Sequence, residues 1–88
     1  MKPDIHLKDT ALKLIAEIAP EADLERLDPR LRFRDQFDFD SIDFLNFAER
    51  LAEILEIKIP ETDFPLLATL ESCQAYLQAR LGREAAEA

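Results

Sequence analysis

Ser41-Ile42-Asp43-Phe44-Leu45-Asn46-Phe47-Ala48-Glu49-Arg50-Leu51-Ala52-Glu53-Ile54-Leu55-Glu56 contains neither glycine nor proline. Phe44, Phe47, Leu51 and Leu55 recur at i, i+3, i+7 and i+11, with Leu45, Ala48 and Ala52 beside them, which is the spacing of an amphipathic helix. Asp40 is a good N-cap residue, and Asp43 three positions on makes a capping box with Asp in place of the usual Glu or Gln. A helix over 41–56 has an axis of about 24 Å and an apolar stripe that other elements must cover.

The flanks supply those elements. Leu7, Ala11, Leu14, Ile15 and Ile18 form one stripe of a helix over Asp4 to Ala19, ended by Pro20. Pro20 to Asp40 carries two prolines and no clean period, apart from a possible helical turn over Glu21 to Leu27. It reads as a loop longer than the roughly 12–15 residues usual in compact domains, and such loops are commonly functional. Its Leu24, Leu27, Leu31, Phe33 and Phe37 are expected to pin it to the core. Ile57 to Pro60 is an apolar connector with no second strand to pair with, and Asp63 to Ala68 reads as a helical turn with Pro65 in its first turn. Thr69 then caps a last helix with Leu70, Cys73, Tyr76, Leu77 and Leu81 inward, and Gly82 is placed as its C′ stop. The expected architecture is all-α, a small bundle of three main helices plus one short helix, with a long loop between helix one and helix two. It forms a single domain over residues 1–88, with 83–88 a disordered tail.

Composition narrows the function. At 88 residues the chain is one small module, too small to bury a deep enzymatic cleft. Its net charge of −8 repels phosphate backbones and anionic lipid heads, so neither nucleic acid nor a membrane is an expected partner, whereas a basic protein surface is. The acids are concentrated: residues 35–63 hold nine against Arg50 and Lys58, while residues 26–34 hold four arginines against Asp28. The single cysteine rules out an internal disulfide and fits a reducing compartment. With no signal-like or membrane-length apolar run, the chain reads as a cytoplasmic monomer. His6, the one histidine, reads as a surface residue.

The stretch that does not resemble generic bundle sequence is Asp35-Gln36-Phe37-Asp38-Phe39-Asp40-Ser41-Ile42-Asp43-Phe44-Leu45. A serine opening a helix sits beside unpaired N–H groups and the positive end of the helix dipole, where a phosphate is stabilised. Ser41 is thus a candidate phosphorylation or phosphodiester site. Serine is equally at home there as a plain cap or first-turn residue, and the residues alone leave both readings open.

Asp40-Ser41-Ile42-Asp43 resembles the Asp-Ser-Leu-Asp attachment motif of the acyl carrier proteins, with Ile in place of Leu. Ile57-Lys58-Ile59-Pro60 is similar to that family's connector after helix two, and Thr69-Leu70 with Tyr76-Leu77 to its last helix, so the resemblance spans residues 4–82. It implies a carrier and not an enzyme, with no catalytic residue and no metal site of its own. A phosphopantetheinyl transferase would move 4′-phosphopantetheine from coenzyme A onto the Ser41 hydroxyl, Mg²⁺ on the transferase side neutralising the phosphate charge. Asp40 would assist that modification. The arm would carry acyl or aminoacyl groups as thioesters from a loading ligase to downstream transferases or synthases with basic docking surfaces, in fatty-acid, polyketide or related biosynthesis. Asp38, Ile42, Asp43, Glu49, Glu53 and Glu56 are the expected partner face, and Phe44, Phe47, Leu51, Leu55, Ile59 and Tyr76 the expected acyl pocket. The bulky rings suggest short or polar cargo. The chain departs from the family pattern at Asp38, where Gly is common, at Asn46, where Glu is often found, and at Glu49, which replaces an apolar contact.

Two other classes compete. Asp38, Asp40, Asn46 and Glu49 match EF-hand calcium-loop positions, but Ile42 and Asp43 stand where a ligand and the turn glycine belong. A carrier-like interaction module that is never modified is the other, and it leaves the choice of serine at position 41 without a reason. Cys73, on the inward stripe of the last helix, is expected to be a buried small hydrophobe.

Overall fold

The computed structural model describes residues 7–87, with side-chain surroundings through residue 82. In chain order they form α1 (Leu7–Ile18), a 3-10 turn (Leu24–Arg26), α2 (Phe33–Gln36), α3 (Ser41–Leu55), a 3-10 helix (Glu61–Leu67) and α4 (Leu70–Glu87). No strand occurs among the described residues, and Ile57 to Pro60 is an irregular connector as expected.

The apolar stripes decide the packing. Leu7, Ala11, Leu14 and Ile15 of α1 meet Phe47, Ala48 and Leu51 of α3, and α1 also packs on Leu70, Cys73 and Leu77 of α4. Phe33, Phe47, Leu7, Ile15, Leu51, Leu67, Leu77 and Cys73 are almost wholly shielded from solvent. Full burial of each such aliphatic or aromatic side chain is worth about 1.5–3 kcal/mol, which makes this cluster the main support of the fold. The Cα radius of gyration, 12.5 Å, is close to the ~12 Å expected of a single domain of this length. The expected residues 4–6 of the first helix, His6 and Ala88 lie outside the described residues.

Three boundaries differ from expectation, each for a local reason. The segment from Pro20 to Asp40 is not a plain loop. It contains the 3-10 turn, capped by Asp23 through a hydrogen bond from the Glu25 N–H at 3.2 Å, and the one-turn helix α2. A four-residue helix cannot establish a period, so α2 was invisible to pattern reading. Tertiary contacts hold it: the Phe33 N–H donates to the Ala68 carbonyl at 2.9 Å, the Glu71 N–H donates to the Pro29 carbonyl at 2.9 Å, and Arg32 bridges Thr69. The turn over residues 63–68 begins earlier, at Glu61, and is a 3-10 helix with Pro65 inside it rather than in its first turn. The Pro65 carbonyl still accepts the Ala68 N–H at 3.3 Å. Finally, α4 does not stop at Gly82 but runs to Glu87. Gly82 has no left-handed backbone, and the strong helix formers around it offset its cost of roughly 1 kcal/mol. Thr69 caps α4 as expected, its Oγ1 accepting the Ser72 N–H at 3.1 Å.

Candidate functional site

Four phenylalanines deliver Asp40 and Ser41 to one end of the bundle. Phe33 lies edge-on to Phe39 and Phe47, with ring centroids 5.7 and 5.4 Å apart, and Phe37 contacts both Phe33 and Phe39 at 5.9 and 5.5 Å. Pairs of this geometry add about 0.5–1.5 kcal/mol beyond area burial. Phe39, buried immediately before Asp40, therefore anchors the chain just where α3 must begin. Behind it the Gln36 side-chain amide donates to the carbonyls of Asp28 and Leu31 at 2.8 and 3.0 Å and accepts the Asp28 N–H at 2.8 Å. One amide thus fixes both ends of the turn that carries Arg30.

At the start of α3 the capping box is complete. Asp40 Oδ1 accepts the Asp43 N–H at 2.8 Å, and Asp43 Oδ2 accepts the Asp40 N–H at 3.3 Å. Ser41 is the first helical residue, and its side chain is exposed. Its hydroxyl stands at the positive end of a 15-residue helix, among backbone N–H groups with no intrahelical acceptor. Asp40, not Ser41, is the cap, so the capping role that competed for Ser41 is already filled.

Ser41 also lines a groove of about 710 Å³, together with Arg32, Phe33, Arg34, Asp38, Phe39, Asp40, Phe44, Phe64, Pro65 and Ala68. Phe44 and Phe64 meet edge to face across it, centroids 6.2 Å apart. Of the six residues expected to surround an acyl chain, Phe44 lines this groove. Phe47 and Leu51 are sealed in the core, and Leu55, Ile59 and Tyr76 are half-buried against it. Tyr76 donates to Asp63 Oδ2 at 2.7 Å and accepts from Arg80 at 2.8 Å. Desolvation first, and then the Asp63 hydrogen bond, raise its pKa. Arg32, Arg34, Phe64, Pro65 and Ala68 were not foreseen as neighbours of Ser41. The arginine-rich run was legible as charge, but only the Phe33 to Ala68 hydrogen bond turns it into a groove wall.

The acidic residues fall where the helix period puts them. Ile42, Leu45, Asn46, Glu49 and Glu53 lie on one side of α3, opposite the buried Phe47 and Leu51, and all five are exposed, as is Glu56 just beyond the helix end. Ile42, at 68% exposure, is the most open large apolar residue among the described residues. Asp38 is exposed and Asp43 half-buried beside them. This geometry excludes an EF-hand loop. Asp40 is spent on the helix cap, and the chain is helical from Ser41 onward, where the calcium loop would have to coil. Among the described residues no group of three or more His, Cys, Asp or Glu side chains is placed to hold a metal ion. Cys73 is fully shielded in α4, and burial pushes its thiol up to about 12.

The model of the phosphopantetheine attachment site family matches residues 9–77, a range that includes Asp40, Ser41 and the groove residues beside them. The chain belongs to this family. Among curated proteins and among solved structures nothing matches it. The family is defined by covalent 4′-phosphopantetheine, and its members are carrier proteins, in general non-catalytic, that meet a phosphopantetheinyl transferase and biosynthetic enzymes. The residues of this carrier fit that group. An open hydroxyl at a helix N-terminus accepts a phosphodiester without burying its charge, and the neighbouring groove offers the half-buried rings of Phe44 and Phe64 and two guanidinium groups to an arm that is part anionic and part apolar. No helix among its described residues is long and apolar enough to cross a membrane.

Proposed function

We propose that Ser41 is the attachment residue and that the carrier delivers short or polar acyl or aminoacyl groups to enzymes that dock on the exposed side of α3. The observation that carries this reading is the exposed Ser41 hydroxyl, first in α3 and framed by the Asp40 to Asp43 capping box. When attached, the arm supplies a thiol that holds the cargo as a thioester. Everything else falls to this chain's residues. Ser41 Oγ is the acceptor nucleophile, and the positive end of α3 stabilises the negative charge that arrives on it. Asp40 spends Oδ1 on the Asp43 N–H, and its other oxygen would help orient the metal ion that the transferase brings. No base is required of this chain, because the transferase supplies the proton acceptor.

Docking follows the same logic. Ile42 and Leu45 give a partner an apolar contact, and Asp38, Asp43, Glu49, Glu53 and Glu56 surround it with negative charge that steers a basic surface in. The cargo reading rests on the core. Phe47 and Leu51 fill the space beneath α3, so the room beside Ser41 is the open groove and not an enclosed tunnel.

The test is intact mass after incubation with coenzyme A, Mg²⁺ and a broad-range phosphopantetheinyl transferase. The wild type is expected to gain the mass of one phosphopantetheine and Ser41→Ala none. An unchanged wild-type mass, or a gain that persists in Ser41→Ala, refutes the assignment. Strong protection of a long-chain thioester from hydrolysis would refute the cargo reading.

A further inference from the structure

Four charged side chains line the groove beside Ser41, and they are not equivalent. Arg32 is committed to Asp35, Nε to Oδ2 at 2.9 Å. Asp40 is committed to the α3 cap. Asp38 lines the groove as a like charge to any phosphate. Arg34, exposed on α2, has no ion pair among the described residues, although Arg26, Arg30 and Arg32 of the same segment each have one. It is the one guanidinium on the groove left to meet an incoming anion. On the same groove, Phe44 and Phe64 offer half-buried apolar rings.

We infer that this groove is the resting place of the proximal half of the arm, and that Arg34 is the positioning residue that holds it there through its phosphodiester. The inference rests on Ser41 being the attachment residue. Modification adds one negative charge at Ser41, next to Asp38 and Asp40. Two carboxylates would push that charge into solvent, and a guanidinium donating to the phosphate oxygens reverses the balance. The segment after the phosphate carries a geminal dimethyl group, which suits the Phe44 and Phe64 rings, and then polar amides, which suit the groove's open side. The α2 segment that bears Arg34 is itself fixed to Ala68 beside this groove. Glu49 and Glu53, on the exposed side of α3, are not among the residues that line this groove. Partners docking on that side would then have to draw the arm off Arg34 to reach the cargo.

The experiment is NMR on the enzymatically modified protein, with intact mass recorded for each sample. In the wild type at low salt, proton contacts are expected between the arm's geminal methyl groups and the Phe44 and Phe64 rings. A phosphorus resonance displaced from that of free phosphopantetheine is expected with them. Arg34→Gln is expected to lose the methyl contacts and return the phosphorus shift toward the free value. Arg30→Gln, which removes a charge of the same segment away from the groove, keeps both signals. High salt weakens the wild-type contacts and leaves the spectrum of Arg34→Gln unchanged. A mass that never rises overturns the Ser41 assignment and this inference with it. A sample of full modified mass whose methyl groups show no ring contact overturns the groove site alone. Arm contacts that survive Arg34→Gln, while the same substitution alters only a carboxylate-bearing cargo loaded on the thiol, overturn it in favour of cargo recognition by Arg34.

Discussion

Asp40 has two roles that substitution can separate. As a cap it satisfies the Asp43 N–H at 2.8 Å, and removing such a cap costs about 1 kcal/mol. Asp40→Ala is therefore expected to lower stability by about that much in urea denaturation. Asn caps a helix as well as Asp does, so Asp40→Asn keeps the stability and loses only the charge. A slower modification rate in Asp40→Asn at unchanged stability assigns the charge a part in the reaction, and a wild-type rate removes that part. Cys73 shows a second residue-scale effect. Its thiol is about 9 when free and about 12 in the fold, so the folded state holds the proton after the unfolded chain has lost it. Stability from this group is full below pH 9 and is lost as pH climbs toward 12. Tyr76 pulls in the same direction. The fall in unfolding free energy over that alkaline window is expected to be shallower in Cys73→Ala than in the wild type, and an identical slope would contradict the shift. The residue-scale chemistry was the most legible part of this chain, because a cap followed three positions on by its reciprocal acid is a local pattern.

At the scale of elements, two helix ends separate what pattern reading can see from what it cannot. Glu56, after α3, holds a left-handed backbone at φ 55° and ψ 45°, and its N–H donates to the carbonyls of Ala52 and Glu53. A non-glycine residue pays about 1–2 kcal/mol for that conformation. Gly82 is the reverse case, a glycine inside α4 with open space where a Cβ would stand. The chain's single glycine is thus absent from the helix end that needs one and present in a helix interior that does not. Glu56→Gly and Gly82→Ala are each expected to stabilise the fold by about 0.5–1 kcal/mol in chemical denaturation. A destabilised Gly82→Ala would show that α4 does not run through that position. Glycine as a stop signal is a statistical cue, and here the helix propensity of its neighbours overrode it. The short α2 was illegible for another reason: it is held by the Phe33 N–H on the distant Ala68 carbonyl and by the Gln36 amide on the Asp28 to Leu31 turn, and no local period encodes either.

At the scale of the whole molecule, charge and packing divide the surface. The exposed side of α3 is acidic and partly apolar, while the loop wall of the groove carries Arg32 and Arg34. Docking on the acidic side is expected to slow as salt rises, since screening shortens from about 10 Å at 0.1 M to about 3 Å at 1 M. A paired reversal, Glu49→Lys with Glu53→Lys, is expected to cut the rate of transferase modification several-fold at low salt and to match the wild type at high salt. Stopped-flow association or initial modification rates check this, and salt-independent rates would contradict it. The sequence by itself determined the helical class, the start of α3, its buried and exposed sides and the attachment-like motif, because each depends on residues within a turn or two of one another. Only the tertiary structure decided which residues stand beside Ser41. Arg34, Phe64 and Ala68 come together there because the Phe33 ring is buried and its N–H is spent on the Ala68 carbonyl. That contact joins residues 35 positions apart, and no local spacing rule reaches so far.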